Sequence, residues 1–95
     1  MFDLVEFRHL KYIAAIAEAE NFTRAAERLF LAQPSLSKQI KDLEDAIGIQ
    51  IFVRHHDGVR VTPAGQMVLL DAIFELLELL ELLVKIWTIR SGLAA

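Results

Sequence analysis

Apolar residues recur every three or four positions through the first half of the chain, which is the spacing of one helix face. The first such set, ending near residue 20, comprises Phe7, Leu10, Ile13, Ala14 and Ala17. Asp3 is predicted to cap this helix, with Glu6 three residues later completing a capping box. A second, short helix is predicted to follow, with Thr23 as its N-cap and the small residues Ala25 and Ala26 facing inward.

A third helix is predicted from about residue 33 to residue 47, after a short break at residues 30–32. Pro34 suits its first turn, where the missing proline N–H has no intrahelical partner, and Gly48 suits its end. Its inward stripe is predicted to be Leu36, Ile40, Leu43 and Ile47. Two helices joined by so short a break have the form of a helix-turn-helix motif.

Beyond residue 48 the period changes from that of a helix to that of a strand. Ile49, Ile51 and Val53 alternate with more polar or half-buried positions, and a second β-prone run follows Asp57-Gly58. Asp-Gly between two such runs is a strong signal for a two-residue β-hairpin. We therefore expect a hairpin here.

A long helix is predicted to start with Thr62 as its cap and Pro63 in its first position, and to end near Arg90. The element order predicts a mainly α fold, a winged helix-turn-helix of three helices plus a β-hairpin wing. We assign residues 1–62 to this winged domain and residues 63–95 to a linker or dimerisation helix.

The outer face of the third helix carries groups that suit DNA. Projected at 100° per residue, this face holds Pro34, Lys38, Lys41 and Asp45, flanked by Ser35 and Ser37. Gln33 can recognise adenine, Lys38 can reach guanine, and the serines can contact bases or phosphates. Thr23 and Arg24, at the start of the preceding helix, are placed to hold the phosphate backbone.

The charge balance leaves an alternative open. The formal net charge is −3, and residues 1–62 carry 8 Lys and Arg against 9 Asp and Glu. Such a domain neutralises few phosphates per subunit, which favours a dimer that doubles the contacts. Two lysines on an outer helix face also suit a helical protein-interaction or dimerisation module without DNA binding, and helix-turn-helix patterns have false positives.

A series of short motifs runs in order from Phe7 to Gly65. They are Arg8-His9-Leu10 with Tyr12, Phe22-Thr23 with Ala25-Ala26 and Leu29, Gln33-Pro34-Ser35-Leu36-Ser37, Gln39-Ile40, Leu43-Glu44, Gly48, Phe52 with Arg54, and Thr62-Pro63-Ala64-Gly65. Through these motifs the segment resembles the N-terminal DNA-binding domain of a LysR-type transcriptional regulator.

The resemblance implies roles for individual side chains. Gln33, Pro34, Ser37 and Lys38 match the positions that touch DNA in the major groove, and Arg54 matches a frequent basic residue at the wing. Lys38 stands where arginine is common, so a point charge replaces a bidentate fork.

The wing tip departs from the family pattern. Family members often place a basic residue where this chain has Asp57, and that residue reaches the minor groove. Because an acid there would be repelled by phosphate, we expect His55, His56 or Arg60 to take that role.

The resemblance also implies a whole protein. It implies a dimeric bacterial regulator that binds an interrupted palindrome near a promoter, forms tetramers on DNA in some cases, and acts by contacting or excluding RNA polymerase. The small-molecule effector belongs to a C-terminal domain that these 95 residues do not include, so we expect a part of a longer protein rather than a standalone relic. A related rival is another winged-helix class, such as the molybdate-responsive regulators.

The last helix has a heptad pattern of apolar residues. Leu70, Leu77 and Val84 occupy one position of the heptad, and Ile73, Leu80 and Trp87 occupy the other. One chain cannot cover so much apolar surface, so we expect dimerisation through this helix. A membrane span is not expected, because an acidic residue recurs every three or four positions.

Other chemistries have little support in the sequence. His55 and His56 lie next to Asp57, but adjacent strand residues point to opposite faces, so no metal site is expected. The chain has no cysteine and no nucleophile–base pair, so we expect neither a cofactor in this chain nor an enzyme. Because there is no signal peptide, we expect a cytoplasmic protein.

Overall fold

The computed structural model describes residues 5–92 and confirms the predicted fold class. Its elements are α1 (Phe7–Ala19), α2 (Phe22–Leu29), α3 (Gln33–Ile47), β1 (Phe52–His55), β2 (Gly58–Val61) and α4 (Pro63–Ser91). The two strands form an antiparallel hairpin, the wing, between the helix-turn-helix and the long last helix.

The start of α1 differs from the prediction. Asp3 lies outside the described residues, and Glu6 is the N-cap of the helix. The N–H of Glu6 donates to Nδ1 of His9 at 2.9 Å, so a histidine takes the position predicted for Glu6 in the capping box. An imidazole with a free lone pair can accept this hydrogen bond as a carboxylate would.

The cap of α2 is Asn21 and not Thr23. Oδ1 of Asn21 accepts the N–H of Arg24 at 2.9 Å, and the helix begins at Phe22. This earlier start turns the Phe22 ring into the core, where it is 8% exposed. Burial of the aromatic ring and the preference for Asn over Thr as an N-cap both favour this start.

The predicted bounds of α3 are confirmed. Pro34 lies in its first turn, and Gly48 caps its end in the left-handed conformation at φ 72°. Leu36, Ile40 and Leu43 are buried as predicted, whereas Ile47 is half-buried.

The predicted strand alternation and turn position are both shifted in the structure. Ile51 and Phe52 are both buried, because the strand starts only at Phe52. His55 pairs with Gly58, so the turn residues are His56 and Asp57. A Cβ at Gly58 would lie 2.6 Å from the Glu20 carbonyl oxygen, so the glycine permits close contact between the wing and α1.

The core lies where α1, α2 and α3 meet the wing and the first turns of α4. Its fully buried large side chains are Ile13, Ile16, Leu36, Ile51 and Val68. Oγ1 of Thr62 accepts the N–H of Gly65 at 2.9 Å and so caps α4 as predicted. A Cβ at Gly65 would lie 2.6 Å from the Ile51 carbonyl oxygen, so α4 packs directly on the segment that leads into the wing.

The larger part of α4 extends away from this core. Ala72 is its last buried residue, and the large apolar side chains from Ile73 to Ile89 are exposed. Among residues 5–92, no helix combines the length and the apolar character needed to cross a lipid bilayer.

Candidate nucleic-acid interface

The N-termini of α2 and α3 and the wing surround one open groove of about 400 Å³. Thr23 from α2, Gln33 from α3 and Arg54 from β1 all line it, together with the wing-tip residues 55–59. The fold thus brings together three side chains that were predicted to bind DNA and that lie far apart in sequence. Helix N-termini present unpaired N–H groups, which suits the phosphate backbone of a nucleic acid.

The first turn of α3 carries the predicted base-contacting groups. Nε2 of Gln33 donates to Oγ of Ser37 at 2.6 Å, which holds both side chains on the same face. Pro34 and Ser35 beside them are exposed. This turn therefore presents hydrogen-bonding groups and no large apolar side chain.

The two lysines of α3 each pair with an acid one turn later. Nζ of Lys38 lies 2.7 Å from Oδ2 of Asp42, and Nζ of Lys41 lies 3.7 Å from Oδ1 of Asp45. The hydrogen bond and the charge of Asp42 raise the pKa of Lys38 above its usual value. Lys38 is therefore a charged donor on this face, and the exposed carboxylate of Asp42 offsets part of its charge.

The predicted residues of the α2 N-terminus are accessible. Thr23 and Arg24 are exposed in the first turn, next to the Asn21 cap. The positive end of the helix dipole at this position suits contact with a phosphate.

The two wing arginines have different surroundings. The guanidinium of Arg54 lies 4.5 Å from the centroid of the Phe22 ring. Arg60 instead forms ion pairs with Glu20 at 3.3 Å and with Asp57 at 3.2 Å. The charge that was expected to repel phosphate at the wing tip, that of Asp57, is therefore compensated by Arg60.

Sequence reasoning missed two contacts that position the wing, one made by a side chain and one by a backbone carbonyl. Oε2 of Glu44 accepts the N–H groups of Ile51 at 2.7 Å and of Phe52 at 3.1 Å, which ties α3 to β1. The carbonyl of Glu20 accepts the Val59 N–H at 3.0 Å, which ties α1 to β2. The Leu43-Glu44 motif was the only sequence signal for the first contact, and the second had none.

The predicted dimerisation residues form an exposed apolar stripe on α4. Each of its members is 46–61% exposed in the single chain: Leu70, Ile73, Leu77, Leu80, Val84 and Trp87. Outside this stripe, α4 exposes further leucines to a similar degree, among them Leu79, Leu82 and Leu83. Such a surface is typical of a helix that packs against another chain.

The histidines of the wing tip, His55 and His56, are exposed. Within residues 5–92, no group of three or more histidine, cysteine, aspartate or glutamate side chains is arranged to hold a metal ion.

Comparison with known proteins finds relatives among bacterial transcription regulators. The chain is 52% identical over 69 residues to the Hca operon transcriptional activator HcaR of Escherichia coli K12. It is 48% identical over 61 residues to the HTH-type transcriptional regulator BenM of Acinetobacter baylyi. These matches cover 73% and 64% of this chain but only 23% and 20% of the two relatives, so the chain spans less than a quarter of their length.

Solved structures with the same fold include DNA complexes. The BenM DNA-binding domain bound to catB site 1 DNA superposes with a TM-score of 0.73 at 39% identity, over 95% of this chain and 97% of that one. The complex of the CbnR DNA-binding domain with DNA gives 0.68 at 37% identity, over 96% and 100% of the two chains.

The family profile described as "Bacterial regulatory helix-turn-helix protein, lysR family" matches residues 7–66. This range covers α1, α2, α3, the wing and the start of α4, and includes every motif on which the resemblance rested. The chain therefore belongs to the LysR family of bacterial regulatory helix-turn-helix proteins.

Proposed function

We propose that the chain binds double-stranded DNA sequence-specifically, as the DNA-binding part of a dimeric bacterial transcription regulator. The observation that carries this proposal is the groove where Thr23, Gln33 and Arg54 meet beside the polar first turn of α3. Here α3 enters the major groove, the N-terminus of α2 holds the backbone, and Arg54 contacts the adjacent strand from the wing. The similarity to DNA complexes of BenM and CbnR supports this placement.

The homodimer forms through the apolar stripe of α4, and its two recognition helices face successive major grooves. Half-sites are then separated by about one helical turn, and the operator is an interrupted palindrome. The intact regulator works in the cytoplasm by contacting or excluding RNA polymerase, assembles into a tetramer on DNA, and responds to a small-molecule effector through a further domain. It has no catalytic role, in keeping with its relatives, which are named as transcriptional regulators.

Selection of bound fragments from a random DNA pool, at low and then at physiological salt, tests this proposal. Recovery of a dyad with half-sites one turn apart is the expected result. Binding that shows no sequence preference and disappears as salt rises would count against specific recognition by these residues alone. No binding at either salt would favour the alternative, a protein-interaction module without DNA.

A charge reversal on α3 locates the interface. Lys38→Glu is expected to abolish specific binding while leaving a folded dimer, because Lys38 is exposed and its ion pair is at the surface. Lys85→Glu on α4 makes the same change of charge and serves as the matched control. Normal operator binding by Lys38→Glu would show that the recognition face is wrongly assigned.

A further inference from the structure

Two aromatic rings and one guanidinium form a cluster between α2 and the wing. The rings of Phe22 and Phe52 meet edge to face, with centroids 5.9 Å apart and an interplanar angle of 72°. The guanidinium carbon of Arg54 lies over the Phe22 ring, 4.5 Å from its centroid. The cation is thus within the range in which the negative face of an aromatic ring attracts it.

The ring and the cation differ in burial. Phe22 is 8% exposed and is held by the core, whereas Arg54 is exposed. A buried ring has little freedom of movement, so it supplies a fixed platform for a long and otherwise flexible side chain. Arginine suits such a platform because its planar guanidinium stacks on a ring and keeps its N–H donors free at the edge.

The platform fixes Arg54 without neutralising its charge. Within residues 5–92, ion pairs tie Lys38, Lys41 and Arg60 to carboxylates, but no carboxylate pairs with Arg54. An acid that pairs with a cation offsets part of the charge that an incoming phosphate would meet. A cation held by a ring keeps its full charge for an incoming anion.

Arg54 is one of the residues that line the groove with Thr23 and Gln33. We propose that Phe22 is a positioning residue for DNA binding, because its ring holds the unpaired Arg54 guanidinium at this groove for contact with a backbone phosphate. This inference rests on the proposed DNA binding and adds a role for a side chain that the core would otherwise fully explain.

A purely structural role for Phe22 predicts different results from a positioning role. If the ring only fills the core, its loss lowers stability but leaves the number of phosphate contacts unchanged. If the ring positions Arg54, its loss weakens binding by a phosphate-dependent amount, and the effect disappears when Arg54 is absent. The salt dependence of binding and a double-mutant cycle separate the two.

The experiment measures affinity of the 95-residue chain for a labelled mixed-sequence duplex of about 30 base pairs, long enough for two half-sites. Titrations over a range of salt concentrations compare the unsubstituted chain with Phe22→Leu, Phe22→Tyr, Arg54→Ala and the double variant Phe22→Leu/Arg54→Ala. Phe52→Leu is the matched control, since it removes the other ring of the pair and leaves the platform under Arg54. Circular dichroism checks that each variant is folded, and Phe22→Met replaces Phe22→Leu if the latter is not.

Phe22→Leu is expected to weaken binding about two- to fivefold per subunit and to flatten its salt dependence, in the direction of Arg54→Ala. Phe22→Tyr keeps the affinity and the salt dependence of the unsubstituted chain, and Phe52→Leu changes neither of them. In the Arg54→Ala background, Phe22→Leu causes no further loss of affinity.

The inference would be overturned if Phe22→Leu lowered the affinity equally with and without Arg54, or if Phe52→Leu lowered it as much as Phe22→Leu does. If the unsubstituted chain binds and Phe22→Leu binds equally well, this inference alone fails. If the unsubstituted chain does not bind, it fails together with the proposed function.

Discussion

His9 couples the start of α1 to the core through one imidazole. The side chain is 8% exposed, and its Nδ1 accepts the Glu6 N–H. Burial, and secondarily the neighbouring charge of Arg8, lowers the pKa of His9 below its ordinary value, while Glu6 acts in the opposite direction. Protonation would add a charge to a buried ring and remove the acceptor of the cap.

This shift predicts a loss of stability in mild acid. Because the pKa of His9 is lower in the folded state, the unfolded state binds the proton more readily. The contribution of His9 is therefore complete above the ordinary imidazole pKa of about 6.5 and is lost as the pH falls through the folded value. His9→Gln keeps a cap acceptor but does not titrate. Denaturant unfolding at about pH 7.5 and about pH 5.5 measures the effect. Between these two pH values, the free energy of unfolding should fall more for the unsubstituted chain than for His9→Gln. Equal decreases would contradict the argument.

Phe30 is a second residue whose backbone matters as much as its side chain. It is the C-terminal cap of α2, with φ 58°, in the left-handed region that residues other than glycine and asparagine seldom adopt. Its side chain is 95% exposed and so gains almost nothing from packing.

Phe30→Gly is therefore expected to raise the free energy of unfolding by about 1 kcal/mol, because glycine has no Cβ to strain in this conformation. Phe30→Ala is the control, since it removes the ring and keeps the strain. Thermal unfolding of the two variants measures the difference. Equal stability of the glycine and alanine variants would show that the backbone is not strained here.

At the scale of elements, the wing is attached to the helices at two points. Glu44 holds the start of β1 to α3, and the carbonyl of Glu20 holds β2 to α1. These contacts, with the close approach at Gly58, fix the wing relative to the recognition helix. Because Arg54 belongs to the wing, these contacts also fix its backbone relative to the N-terminus of α3.

Glu44→Ala is expected to destabilise the fold by about 2 kcal/mol, because two half-buried N–H groups lose a charged acceptor. Glu44→Gln should recover part of this loss, since a neutral amide oxygen accepts more weakly. Asp45→Ala on the same helix is the control and should cost well under about 1 kcal/mol, because it removes only an exposed ion pair. Denaturant unfolding decides the matter; similar losses in Glu44→Ala and Asp45→Ala would rule out the anchoring role.

At the scale of the whole molecule, the long helix α4 extends from the winged helix-turn-helix domain and is rich in exposed apolar side chains. Within residues 5–62, the large apolar side chains other than Phe7 and Phe30 are buried or half-buried, whereas those of α4 beyond Ala72 are exposed. A second copy of α4 would cover the apolar stripe, and the two winged domains of the proposed dimer would then bind DNA together.

Leu77→Asp tests this arrangement. A carboxylate in an apolar seam loses its hydration without gaining a partner, so the dimer should dissociate more than about tenfold more readily. Sedimentation equilibrium measures the change, and DNA titration should show weaker binding in parallel. Glu78→Gln is the neighbouring control. A dimer as stable as that of the unsubstituted chain would place the interface elsewhere on the molecule.

The sequence by itself determined the order and type of the elements, the inward stripe of α3 and membership of the family. These features are local, because helix and strand periods, caps and motifs are written within a few consecutive residues. Even the pairing of Lys38 with Asp42 could be foreseen from their spacing of four. The cap of α1 and the exact turn of the wing were wrong by one to three residues, since neighbouring residues offer competing caps and turns.

Only the tertiary structure decided which charges remain available. Arg54 and Arg60 look alike in the sequence, but packing places a ring beneath Arg54 and the carboxylate of Glu20 beside Arg60. Likewise, the sequence does not distinguish Glu44 from the other acids of α3. Only the packing of the wing places two backbone N–H groups within hydrogen-bond distance of its carboxylate. These contacts join residues from separate elements, and their existence depends on how the elements pack. No pattern within one element can therefore reveal them.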